Sequence, residues 1–153
     1  MHAMNPDPNM KAPESFPAES STFLLQGPAG VIEVATEPHA KACGVAIICH
    51  PHPLHGGTMH NKVVTIIERS LRELGFDTVR FNFRGIGKSE GEFDEGEGES
   101  EDLAAVVRWA RAVRPGAALW LAGFSFGSYV ALRNAKLLGA DALVTIAPPV
   151  GRW

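Results

Sequence analysis

The sequence predicts an α/β chain: a doubly wound, mostly parallel sheet that opens with an antiparallel hairpin. Three observations predict it. From residue 44 onward, short apolar runs alternate with segments of helical periodicity. Two of the runs, Gly44–Cys49 and Ala118–Ala122, are continuously apolar, as strands buried on both faces are. Ahead of them stand two β-type runs joined by Gly27-Pro28-Ala29-Gly30, a turn sequence that pairs its flanks antiparallel.

Each element follows from its residues. Met1 to Ser20 contains Pro6, Pro8, Pro13 and Pro17, which break helices, and is expected to be a disordered leader. Thr22–Gln26 and Val31–Thr36 form the hairpin, and Gly44–Cys49 is the third strand. Over Asn61–Leu74, Val63, Val64, Ile67, Leu71 and Leu74 recur at helical spacing, with Lys62, Glu68, Arg69, Arg72 and Glu73 opposite. Gly75 stops that helix. Thr78–Phe83 is the next strand. A second helix starts near Ser100, buries Leu103, Val106, Val107, Ala110 and Val113, and ends at Pro115-Gly116. Ala118–Ala122 is a strand, Phe126–Leu138 a helix stopped by Gly139, and Ala142–Ala147 the last strand. In a sheet of this type, ligands bind beyond the carboxyl ends of the strands. Loops 50–60, 84–99 and 123–127 leave those ends.

Composition narrows the function classes. A chain of 153 residues, 45% apolar and 20% charged, holds one core and one domain. Its net charge of −3 argues against a nucleic-acid binder driven by overall basicity. No apolar run is long enough to cross a bilayer, and Met1 to Ser20 lacks a signal-peptide core, so the expected location is the cytoplasm. Two cysteines make no disulfide framework. Cys43 and Cys49 flank one strand too far apart to pair and are expected to be core thiols. Eight of the seventeen acidic residues fall between Ser89 and Asp102, with no base among them. Like charges repel and stay wet, so this run is expected to be a solvated loop. It lacks the ligand spacing of a calcium loop.

The chemistry concentrates in three loops. Gly123-Phe124-Ser125-Phe126-Gly127 follows a predicted strand and opens a predicted helix, the setting a nucleophile elbow requires. In such a turn Ser125 takes positive φ, Gly123 and Gly127 must lack side chains, and the Phe126 amide faces a forming oxyanion. A serine N-cap between packing glycines is the plainer alternative. The second loop, His50-Pro51-His52-Pro53-Leu54-His55-Gly56-Gly57, is placed to supply a second oxyanion N–H. Pro51 and Pro53 have none, so His52 is the first choice and Leu54 the second. Its histidines lack a nearby carboxylate or a helical pair spacing, and no metal site is assigned. The third, Asn82 to Ser89, imitates the end of a P-loop, but Asn82 stands where glycine is needed and acids follow. It is taken as a structural turn whose glycines let it approach the elbow. Trp109, Trp120 and Tyr129 are assigned to packing, with Phe124 and Phe126 also candidates for a pocket mouth.

The elbow GFSFG, the loop HPHPLHGGTMHNK and the turn NFRGIGKSEGEF, in this order, resemble the α/β-hydrolases. They are most similar to small bacterial members with little or no lid, near the dienelactone-hydrolase-like branch. The resemblance covers about residues 22–150. It implies a serine hydrolase acting on an ester or similar small acyl substrate through Ser125, with an oxyanion hole from Phe126 and the His52 loop and no cofactor. The chain also departs from the family, whose order is Ser, acid, His. After Ser125 there is one acid, Asp141, and no histidine. Two readings follow: a hydrolase domain over 21–153 lacking its C-terminal third, feebly active as it stands, or a non-catalytic α/β binding module. The last strand would then be an exposed apolar edge, and a homo-oligomer through it is expected.

Overall fold

The computed structural model describes residues 11–149. Six strands form one sheet in the order β1-β2-β4-β3-β5-β6. β1 (Ser21–Gly27) and β2 (Gly30–Glu37) are the expected hairpin, paired from Ser21↔Thr36 to Gly27↔Gly30. β2 also runs antiparallel to β4 (Phe76–Phe81). From there the sheet is parallel: β4 with β3 (Gly44–Cys49), β3 with β5 (Ala118–Phe124), and β5 with β6 (Ala142–Ile146).

The central strand shows how the sequence builds two layers. All six residues of β3 are buried, and alternate side chains enter different cores. Val45, Ile47 and Cys49 join Phe81, Leu103, Val106, Leu121 and Val130, beneath α2 (Glu97–Val113) and α3 (Phe126–Ala135). Ala46 and Ile48 join Val64, Ile67 and Leu71 of α1 (Lys62–Glu73) on the opposite face. Asn61 caps α1, its Oδ1 accepting from the Val63 and Val64 amides at 2.9 and 3.3 Å.

Several expectations are corrected. The expected disordered leader is anchored at one point: Phe16 is buried against Trp109, whose Nε1 donates to Pro13 O at 2.9 Å. Residues 1–10 lie outside the described residues. β4 starts at Phe76 and ends at Phe81, two residues ahead of the predicted strand at each end. Asp77 can open it because the His39 amide (2.8 Å) and the Arg114 guanidinium (2.6 Å) reach its carboxylate. Beyond Phe81 the Asn82 amide still donates to Glu33 O, but its side chain turns away to bind the neighbouring loops.

The acidic run is not a free loop. α2 begins inside it, one turn before Ser100, and Glu99 and Asp102 are buried. Glu99 accepts the Asp94 and Gly96 amides at 3.0 and 2.8 Å, closing the helix N-terminus. Asp102 takes Arg84 Nη2 at 2.9 Å and the Arg84 amide at 2.9 Å. Cys49 is a core thiol, raised in pKa by burial, whereas Cys43 is exposed and not the core residue expected.

Candidate active site

Ser125 sits where β5 meets α3, with φ 54° and ψ −118°. Positive φ is the strained conformation expected there, and it is uncommon for a residue with a side chain. The surroundings hold it in place. The Ser125 amide donates to Ile146 O at 2.9 Å, tying the turn to the end of β6. Ser128 Oγ, buried one turn into α3, donates to Gly123 O at 2.7 Å and lies 3.0 Å from Ile146 O.

The two flanking glycines are demanded by contact. A methyl group on Gly127 would overlap the carbonyl oxygen of Cys49, and one on Gly123 would overlap the carbonyl oxygen of Gly127. The first approach lets α3 lie directly on the end of β3; the second closes the turn itself. Ser125 is half-buried at the carboxyl end of the sheet.

The loop after β3 reaches the same end. His52 packs its ring on Phe126 with centroids 5.0 Å apart, so the 50–57 loop and the elbow are neighbours. His52 Nδ1 accepts the Leu54 amide at 3.1 Å, opening a short 3-10 turn over Pro53–His55. Leu54 itself is 66% exposed. Gly57 folds the loop back on itself, since any Cβ there would overlap Pro51 O.

His50 differs from the other loop histidines. It is fully buried, its Nδ1 donates to Pro51 O at 2.7 Å, and its Nε2 accepts the Phe83 amide at 3.0 Å. Both nitrogens are therefore engaged in the neutral tautomer. Burial pushes its pKa down to about 4, against a smaller upward pull from the Pro51 carbonyl.

Comparison with known proteins gives this geometry a family. The family model for serine aminopeptidase, S33, matches residues 46–153. The Xanthomonas campestris protein XC6422, an a/b serine hydrolase without lid, superposes with TM-score 0.88 at 55% identity, over 93% of this chain and 66% of that one. An alpha-beta serine hydrolase homologue from Coxiella burnetii gives 0.86 at 49% identity, over 90% of this chain and 67% of that one. RP471 of Rickettsia prowazekii is 39% identical over 134 residues, 84% of this chain. The chain belongs to the S33 serine aminopeptidase family of α/β hydrolases. It spans 55% of the length of RP471.

Within this α/β hydrolase, the third loop approaches the elbow, where the Phe83 ring meets Phe126 with centroids 5.8 Å apart, and it is also tied to the hairpin. Gly87 (φ 55°) lies against Glu33 and Asn82, and Gly91 (φ 99°) against Ala29 and Arg84. Glu33 Oε1 accepts from Asn82 Nδ2 and from the Lys88 amide, both at 2.9 Å, and Ser89 Oγ donates to Asn82 O at 2.6 Å. The loop is thus laced to β2. Asn82 Oδ1 also accepts the Met59 amide at 2.8 Å, linking it to the far end of the His52 loop.

Sequence reasoning missed His50, Ser128 and Glu99 as supports of the site. The one local signal was Glu99, three residues after a glycine and ahead of an apolar stripe. His50 and Ser128 each depend on one partner far away in sequence, Phe83 and Ile146. Among the described residues, no group of three or more His, Cys, Asp or Glu converges as metal ligands. No helix there is long and apolar enough to cross a membrane. A cleft lined by Cys43, Asp77, Arg114 and Gly116 opens at the opposite end of the sheet from Ser125.

Proposed function

We propose that the protein hydrolyses an ester or similar small acyl substrate, with Ser125 as the attacking nucleophile. The observation that carries this reading is the strained Ser125 backbone, held between two glycines that admit no side chain. A serine N-cap needs no such strain, and Ser125 makes no side-chain capping bond. The turn costs stability, and its return is presentation of Oγ at the sheet's carboxyl end.

In the proposed reaction Ser125 Oγ attacks the substrate carbonyl and loses its proton to a base. The carbonyl oxygen gains charge and is met by the Phe126 amide at the N-terminus of α3 and by an amide of the His52 loop. His52 is the first choice of donor and Leu54 the second; the Leu54 N–H is given to His52 Nδ1. No cofactor is needed for this chemistry.

His50 is unsuited to be the base: its Nε2 is occupied by the Phe83 amide and its basicity is low. No histidine follows Ser125 in these 153 residues. Turnover by this chain alone is therefore expected near the floor left when a triad member is lost, roughly 10³–10⁴-fold above water. A chain continued to the length of its relatives is expected to exceed it greatly. The test is p-nitrophenyl acetate hydrolysis by the chain, its Ser125→Ala variant and the longer chain. The longer chain is expected to turn over far faster than the short one, while Ser125→Ala should leave the short chain near its floor. Equal rates in all three would remove the hydrolase reading.

A further inference from the structure

The acidic run leaves one residue unexplained. Phe93 is its single aromatic, set between Glu92 and Asp94, yet it is only half exposed while both neighbours are exposed. Its ring lies against His52, with centroids 4.8 Å apart, and against Phe126 at 5.8 Å. His52 and Phe126 touch each other at 5.0 Å. Three rings from three loops thus meet beside Ser125, and two of them carry the proposed oxyanion amides.

The position of Phe93 is fixed from both sides. On its carboxyl side, the buried Glu99 carboxylate binds the Asp94 and Gly96 amides. Gly96 (φ 94°) lies against the Tyr129 ring of α3, and Glu97 pairs with Arg133 of α3 at 2.6 Å. On its amino side, Glu90 is tied to Val31 by two hydrogen bonds, 2.8 and 2.9 Å. A segment so held presents a wall rather than a flexible cover.

From this we infer that Phe93 is a specificity-determining residue, forming with His52, over the buried Phe126 ring, an aromatic wall for a flat, apolar, uncharged acyl group. The inference rests on the ester-hydrolase reading above. The side of the site follows from topology. Phe93 and His52 leave β4 and β3, on one side of β5. The acid and base follow the serine in the chain order of this fold, and β6 lies on the other side of β5; with the leaving group on that side, the acyl group faces the rings. Tilted rings receive an aromatic guest through edge and offset contacts. Glu92, Asp94 and Glu95, the exposed acids next to Phe93 in the chain, disfavour an acyl group that carries its own carboxylate.

The test is binding, in the Ser125→Ala background where no turnover interferes. Ethyl 4-fluorophenylacetate is titrated by ¹⁹F NMR, with ethyl butyrate and monoethyl succinate as competitors. The aryl ester is expected to bind tightest and the succinate weakest, the latter gap narrowing as salt is raised. Phe93→Ala should weaken the aryl ester about five- to tenfold and butyrate less. Phe93→Leu, which keeps the loop filled, should hold butyrate and lose the aryl preference. An unchanged aryl preference in both variants, or succinate binding as tightly as the aryl ester, would overturn the inference. Loss of Ser125-dependent turnover with the aryl preference intact would instead strike only the catalytic reading.

Discussion

Replacing His50 by leucine tests how the site is held together. The imidazole joins the end of β3 to the start of the loop after β4 through Pro51 O and the Phe83 amide. Leucine fills similar space and leaves the buried Phe83 amide and the part-buried Pro51 carbonyl without the imidazole. Each such orphan costs about 1–3 kcal/mol, so the variant should lose about 2–5 kcal/mol at pH 7. The pH dependence is the sharper part. Folded His50 has a pKa of about 4, against 6.5 for the free side chain. Between those values the unfolded chain carries a proton on His50 that the folded chain does not. Stability from this residue is therefore complete above pH 6.5 and is lost as pH falls toward 4, by roughly 3 kcal/mol in all. Carboxylates titrate in the same range, but they are common to both proteins and cancel in the difference. Urea unfolding followed by tryptophan fluorescence, at several pH values from 7.5 to about 4.5, should show the gap between parent and His50→Leu closing as pH falls. A gap that stays constant across that range would mean that folded His50 titrates like a free histidine, and the reasoning fails.

Three further outcomes are expected. Gly127→Ala forces a methyl group onto the Cys49 carbonyl, so it should lower the unfolding free energy by about 3 kcal/mol or more, or prevent folding; a neutral result in urea unfolding would show that the turn has room. Asp102→Asn keeps the shape but removes the charge facing buried Arg84, and should cost about 3 kcal/mol, loosening the 84–96 loop in hydrogen exchange while sparing α1. We also propose that the chain self-associates through β6, which pairs only with β5 among the described residues, beside the exposed Leu132, Leu137 and Ile146; a clean monomer in sedimentation at tens of micromolar would contradict it.

The sequence by itself determined the order of elements, the hairpin and the elbow. Each rests on a local cause. A six-residue apolar run, too short for a typical helix, suits a strand buried on both faces, and β3 spans Gly44–Cys49 as predicted. Gly-x-Ser-x-Gly at a strand-to-helix junction leaves the serine little backbone choice, and Ser125 takes φ 54°. The tertiary structure decided the rest, because the partners are distant in the chain. Charge density alone makes Ser89 to Asp102 look like solvated loop. What buries Glu99 is the curl of the preceding backbone, and what buries Asp102 is Arg84, 18 residues away. Periodicity cannot foresee that the buried Asp77 lies in β4, since the Arg114 guanidinium and the His39 amide reach it from distant parts of the chain. Likewise nothing local to His50 distinguishes it from His52 and His55. It becomes a neutral buried strut because β3 lies beside β4 and the Phe83 amide arrives at its Nε2, and a hydrogen-bond partner chosen by strand order is not written in either segment alone.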